Sequence, residues 1–507
     1  MQGSSNPNRE LLDAGALCRQ LVVEGSVYAF LADHRTDVFP DGMFEDLFPS
    51  LRGRPSIPAE VIASAMILKE LEGLSDRQAA DALRCDIRWK VACGLALDDV
   101  GVHYTVFTYW RQRLKRSVAP KRIPDAVRHV VDATGILSGK RRRALDSTLL
   151  DDAVATQDTV TQLVSQIRRV RRLVPEARSV PVVAHSYDAS GKPECAWDDP
   201  DAKAALVSGL VNDALAILDT VTGLDLDATA SDAVGLLALV AGQDVEPGDE
   251  DGTWQIFDGT AKDRVVSTVD PEARHMHKSR SSYRDGYKAH IAVEPETGII
   301  TASTLTPANT PDGPVGVDLL VGEDPGLQVL ADSAYGSGET RAALREAEHI
   351  QAIKPIPLSK PKIDGGYTRN DFVIDHDQHT VMCPNNVTVT ISAKGNVTFG
   401  KRCIGCPVRE RCTTSPAGRT LKISDHDEEL VAARRAWNDK TFMADYRQYR
   451  PMVERGIAWI VTNGHRRVRY RGVDKNRAQF DLRVAAINLR RLVNLGLHHN
   501  GYGWAIG

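Results

Sequence analysis

Hydrophobic positions recur in two rhythms along this chain. A period near 3.6 marks helices. Val61, Ala65, Leu68 and Leu71 form one such stripe behind Ser56, with Pro58 early in the run and Gly73 at its end, which predicts a capped helix closed by glycine. Ser75 and Gln78 then have the Ser-x-x-Gln spacing of a capping box, leading into Ala79, Leu83 and a further stretch through Trp89, Val91 and Leu95. Helix, glycine turn and helix is the outline of a helix-turn-helix, an outline shared by plain helical hairpins. Residues 103–114 interleave aromatic and basic side chains and predict a helix capped by Thr105. Further amphipathic helices are predicted over residues 162–173, 203–218 and about 477–495.

The second rhythm predicts strands. Leu327, Val329 and Leu330 form a short buried run that ends in Asp332, followed by a turn with Gly336 and Gly338 and a helix start capped by Ser337. Residues 286–293 and 298–305 read as two strands joined by a turn, and residues 349–356 as another. A short apolar strand around Asp146 follows the basic run Arg141, Arg142 and Arg143. Between these strands no other is expected for more than a hundred residues, a stretch predicted to be helical and acidic. From about residue 360 to 425, Val, Thr and Ile alternate between Gly and Asn breaks, predicting a small β-rich subdomain.

At 507 residues the chain exceeds what one hydrophobic core organises, so two or three domains are expected. No run approaches the roughly 20 apolar residues of a membrane span, and residues 1–9 are too polar for a signal peptide, so a cytoplasmic protein without a membrane partner is expected. The net charge of −4 argues against a polyanionic partner only as an average. Between residues 194 and 259 Lys203 is the sole Lys or Arg, whereas Arg111, Arg113, Lys115, Arg116, Lys121, Arg122, Arg128 and Lys140 to Arg143 crowd one segment and Arg466, Arg467, Arg469 and Arg471 another. Of eight cysteines, Cys383, Cys403, Cys406 and Cys412 cluster, which in a reducing compartment suits a tetrahedral thiolate site for structural zinc, with unmetallated thiols or an iron-sulfur cluster as alternatives.

An Asp that opens a strand-to-helix turn is ordinarily a cap or turn former. Asp332 gains interest because Asp146 lies on its own short strand, and Glu454 lies in the first turn of a helix that Pro451 begins. The order Asp146, Asp332, Glu454, in the contexts Leu-Asp-Ser-Thr, Ala-Asp-Ser-Ala-Tyr-Gly and Arg-x-x-x-Glu, resembles the DDE transposases of bacterial insertion sequences. The resemblance implies an α/β fold: a ribonuclease-H-like mixed-sheet core with an N-terminal helical domain and a β-rich, cysteine-containing insertion. The boundaries expected are 1–135, 136–359, 360–430 and 431–507.

It further implies that Asp146, Asp332 and Glu454 hold two Mg²⁺ (or Mn²⁺) ions per active site, with Arg450 in support and Asp285 and Asp312 as competing ligands. Transposon terminal repeats and target DNA would be the partners, with a homodimer when ends are paired. Arg111, Arg113, Lys115, Arg116, Arg141, Arg142, Arg466, Arg467 and Arg469 would grip phosphates. Two positions depart from the family pattern: Arg447 stands where a Tyr is expected, with Tyr446 beside it, and Val461 where a basic residue is expected. The expected activity is cleavage of the element's ends and joining to target DNA; the alternative is a transposase-derived DNA-binding protein that does not cut.

Overall fold

A computed structural model describes residues 1–4, 12–50, 52–279, 282–359 and 361–507. Part of the polar N-terminus and Lys360, where the β-rich insertion was expected to begin, lie outside the described residues. The fold is mixed α/β around one mixed sheet. Its strands are β1 (Arg142–Asp151), β2 (Arg274–Ser279), β3 (Ser282–Val293), β4 (Ile300–Pro307), β5 (Gln328–Ala331) and β6 (Ile350–Ile353). They run in the order β4, β3, β1, β5, β6, with β2 also on β3. Pairing is antiparallel among β2, β3, β4 and β1 and parallel from β1 through β5 to β6.

Because side chains alternate across a strand, each strand feeds two cores. Ala144, Ile291, Val293 and Leu330 face one way, beneath Val453, Ile460, Phe480 and Ile487. Leu145, Ala292, Val329 and Ala331 face the other, with Leu319, Leu320, Tyr335 and Leu344.

Helix α1 (Ala59–Glu72) is buried along nearly its whole length and ends on Gly73 in the left-handed region (φ 71°), as the glycine predicts. It starts three residues after Ser56, whose hydroxyl is engaged with Gly3 N and Ile57 O and so caps nothing. The capping box of Ser75 and Gln78 is present in full. Near the C-terminus, α2 (Lys440–Tyr449) and α3 (Pro451–Val461) abut end to end at Arg450, and α4 (Val473–Asn494) follows. Arg450 keeps helical dihedrals (φ −60°, ψ −37°) although a residue before proline disfavours them. Helix α4 buries Phe480 and Ile487 on the sheet and Leu482, Ala486, Leu489 and Leu492 in the N-terminal helical core, so it is the joint between the two.

The acidic stretch after β1 forms four helices, Thr159–Leu173, Pro175–Ser179, Pro200–Val221 and Ala228–Gln243, around a core of their own, plus a short hairpin (Val245–Pro247 with Trp254–Ile256) that hydrophobic alternation did not announce. Pro200–Val221 is long and apolar enough to cross a membrane, contrary to the expectation from the sequence. Here it packs Val207, Leu210, Ala214 and Ile217 inward, and its Asp213 is held by Val183 N, Ala184 N and the Tyr187 hydroxyl. In the segment up to residue 425, a three-stranded and a two-stranded sheet enclose Phe372, Val381, Val397 and Phe399.

Candidate active site

Ala144 pairs with Leu330 in the parallel register of β1 and β5. Two residues further along each strand, the same register sets Asp146 beside Asp332, and parity turns both carboxylates to the face covered by α3 and α4. Asp332 lies at the sheet's C-terminal edge, where parallel strands leave a crevice. Its carboxylate accepts from Ala334 N at 2.8 Å and caps the turn Ser333–Tyr335, so the ordinary structural role of such an Asp is also filled.

Asp146 is mostly buried and accepts from Ser147 N at 2.8 Å. Burial pushes its carboxyl above the usual carboxylate range; Arg450 and the Ser147 amide draw it back, and Asp332 adds to the rise. The Arg450 guanidinium is 3.1 Å from Asp146 and itself buried, with its Nε and Nη1 unpartnered. Tyr446 stands one turn before Arg450 on α2 and senses Arg450, Asp332 and Asp146 together. Arg447 occupies the position where an aromatic is expected, and Tyr446, four residues ahead of Arg450, is on the helix face that Arg450 shares.

Glu454 occupies the first turn of α3, one turn beyond Arg450 and about 6 Å from it along that face by helix geometry. It is exposed, with no hydrogen bond or ion pair to either Asp among the described residues. The two aspartates are therefore brought together with Arg450 and Tyr446, and Glu454 is not joined to them but is exposed on α3.

Directly behind Asp146, on the opposite sheet face, lies a polar cluster that periodicity did not reveal. Ser147 Oγ donates to Asp312 Oδ1 at 2.6 Å, and Lys288 Nζ reaches Thr310 O at 2.7 Å and Asp312 at 3.4 Å. His290 is fully buried, with Nε2 2.9 Å from Thr306 Oγ1 and Nδ1 3.6 Å from Asp312. Burial pushes this imidazole down to about 4, so it is neutral at pH 7. The buried Tyr335 hydroxyl has no partner, and burial followed by Asp312, Asp146 and Asp332 drives it well above its ordinary range. Asp312 thus faces away from the carboxylate pair, and Asp285 is taken by His275 at 2.7 Å. Ser147 was visible in the Leu-Asp-Ser-Thr context; its partner 165 residues away was not.

The basic residues divide. Arg113, Lys115 and Arg116 are exposed on the helix Thr105–Arg116, and Arg113 stacks over Phe48. Arg111 instead makes a two-pronged bond to Asp76, 2.9 Å and 2.5 Å. Arg141 is exposed and reaches Pro325 O at 3.1 Å, while Arg142 binds Gln328 and Glu296 and lies 4.0 Å over Tyr449. Arg466, Arg467 and Arg469 donate to backbone carbonyls of Leu149, Asp152 and Gly73, pinning the segment after α3 to β1 and to the end of α1.

Cys383, Cys403, Cys406 and Cys412 line one enclosed cavity, all as free thiols. Burial raises the Cys412 thiol, and the other three sulfurs add to the rise. Among the described residues no three His, Cys, Asp or Glu side chains are already set as a metal cage.

Residues 382–493 match the family model described as a transposase DDE domain, a span that includes all four clustered cysteines and Glu454. Residues 24–113 match the model described as a transposase domain (DUF772). Neither a curated protein nor a solved structure matches the chain.

Proposed function

The chain belongs with the DDE transposases of insertion sequences, and from that premise we propose that it cleaves the ends of its element and joins the freed 3′-hydroxyls to target DNA. The observation that carries the reading is the register that sets Asp146 beside Asp332 under a cationic helix end. We read the six-stranded sheet, four strands in antiparallel pairing (β2, β4, β3, β1) extended by two parallel ones (β5, β6), as a ribonuclease-H-like core; strand order and direction support this.

Asp146, Asp332 and Glu454 would hold two Mg²⁺ (or Mn²⁺) ions, which when bound supply charge for the attacking and leaving oxygens of phosphodiester exchange. The donors fit such ions: they are hard carboxylate oxygens, and among the described residues the Arg450 guanidinium, 3.1 Å from Asp146, is the one cationic group paired with either aspartate. The Arg450 guanidinium already offsets part of the rise that burial imposes on the Asp146 carboxyl. Glu454, exposed in the first turn of α3, would turn inward to complete the set. The four thiols fit structural zinc: soft donors already share one cavity, and a closed site of four sulfurs leaves no position for catalysis.

Exposed Arg113, Lys115 and Arg116 on the N-terminal helical part would grip duplex phosphates, and two copies would pair the two ends of the element in the bacterial cytoplasm. A second reading, a DNA-binding protein that never cuts, draws on Val461 at the family's basic position and on the distance Glu454 must still cover.

Cleavage of the element's terminal repeats with Mg²⁺ separates the two. The enzyme cuts, and Asp332→Ala and Asp146→Asn abolish cutting while retaining end binding. A parent that binds the repeats and leaves them whole under Mg²⁺ and Mn²⁺ establishes the second reading instead.

A further inference from the structure

Strands β2 and β3 form a ribbon on which His275 pairs with Asp285 and His277 with Tyr283. Directly opposed residues share a face, so these four side chains form a square on one side of the ribbon. His275 Nε2 and His277 Nε2 stand 3.2 Å apart. Two imidazoles on one tetrahedral ion at roughly 2.0–2.1 Å would sit about 3.3 Å apart, so the pair already has the spacing of a chelate.

The other nitrogen of His275 is engaged as a metal ligand's would be. His275 Nδ1 lies 2.7 Å from Asp285 Oδ1, and the second Asp285 oxygen accepts from the Thr156 hydroxyl. A carboxylate acceptor fixes the Nδ1–H tautomer, leaving the Nε2 lone pair directed toward His277. Tyr283 holds the rings in place, its centroid 5.2 Å from that of His275 and 6.2 Å from that of His277. His277 is exposed, which leaves its side of the square open to water as a further oxygen ligand, and Tyr283 and Asp285 also border an open groove with Thr156 and Arg467.

We propose that His275 and His277 chelate one late first-row divalent ion, Ni²⁺, Cu²⁺ or Zn²⁺, with Asp285 as the orienting acceptor and the remaining positions open to solvent. Imidazole donors suit these ions and not Mg²⁺. This site is separate from the carboxylate pair and from the four thiols, and it stands whether or not the chain cuts DNA.

The test is Ni²⁺ titration of the full chain, first given one equivalent of Zn²⁺, which four thiolates take ahead of two imidazoles, so that the thiols are occupied and the imidazole pair is not. Calorimetry should show one site, without thiolate-to-nickel charge-transfer absorption. His275→Asn or His277→Asn should weaken it by at least tenfold and the double variant abolish it. Asp285→Asn, with both imidazoles intact, should lose about tenfold through the weakened orienting bond. A parent that binds no Ni²⁺ at micromolar concentration, or a double variant that binds as the parent does, overturns the proposal and leaves two imidazoles sharing a proton.

Discussion

Asp146, a carboxylate of the proposed active site, is held where its charge is disfavoured. It is desolvated, faces a second carboxylate, and is steadied by one arginine. Removing that arginine should therefore act on chemistry through charge: Arg450→Ala is expected to shift the acid limb of the cleavage pH profile upward, because Asp146 then ionises later. Asp312 acts at one remove, through Ser147. Asp312→Ala would leave Lys288 buried without its carboxylate, costing about 2 kcal/mol or more in a denaturant titration.

A second buried carboxyl, Asp152, is pushed up to about 6 by burial and then by Asp270 beside it. Its folded value is raised, so its contribution to stability is full below the ordinary value near 3.8 and is lost as pH rises through about 6. Asp152→Asn should accordingly be more stable than the parent at pH 8, by on the order of 2 kcal/mol, and indistinguishable from it at pH 3.5. Equal melting temperatures at both pH values would refute the assignment. None of this was legible from residue identity: Asp146, Asp152 and Asp312 are the same letter, and only burial and neighbours give them different tasks.

Among the elements, α3 decides how close Arg450 and Glu454 come to the sheet. Gly456 lets it approach: a Cβ there would stand 3.2 Å from Ile291 Cδ1 and 3.3 Å from Val293 Cγ2. Gly456→Val should lift the helix, cost about 1–3 kcal/mol, and reduce cleavage while end binding persists. The start of α3 was legible from Pro451, and Ser337, Gly73 and the Ser75 capping box were read where they act, because caps and breakers are local chemistry. The short hairpin after the acidic helices and the abutment of α2 on α3 were not, since a three-residue strand has no period to detect and a helical residue before proline runs against its local preference.

For the molecule as a whole, α4 is shared property. It completes the core of the N-terminal helices with Leu482, Ala486, Leu489 and Leu492 while Phe480 and Ile487 serve the sheet. Arg483 adds to the joint from within the fold, donating to Leu71 O at 3.1 Å and to Trp459 O at 2.5 Å. Residues 1–135 expressed alone should therefore expose an apolar groove and aggregate or bind a hydrophobic dye, whereas adding α4 as a separate peptide should restore a cooperative melt. A stable, monomeric 1–135 fragment would show that the joint is dispensable.

Taken alone, the chain's letters determined which long stretches are helix or strand and several of their caps, which stretches are basic or acidic, and which acidic residues stand in transposase-like contexts, since capping, periodicity and spacing act between neighbours in sequence. Which of those acids share a site was decided by tertiary structure. Strand register set Asp146 beside Asp332, helix docking delivered Arg450 and Tyr446 to them, and folding put Asp312 behind the sheet and left Glu454 exposed on α3. The physical reason is that a charge is defined by what surrounds it within a few ångströms, and for these residues the surroundings come from chain segments more than a hundred positions away.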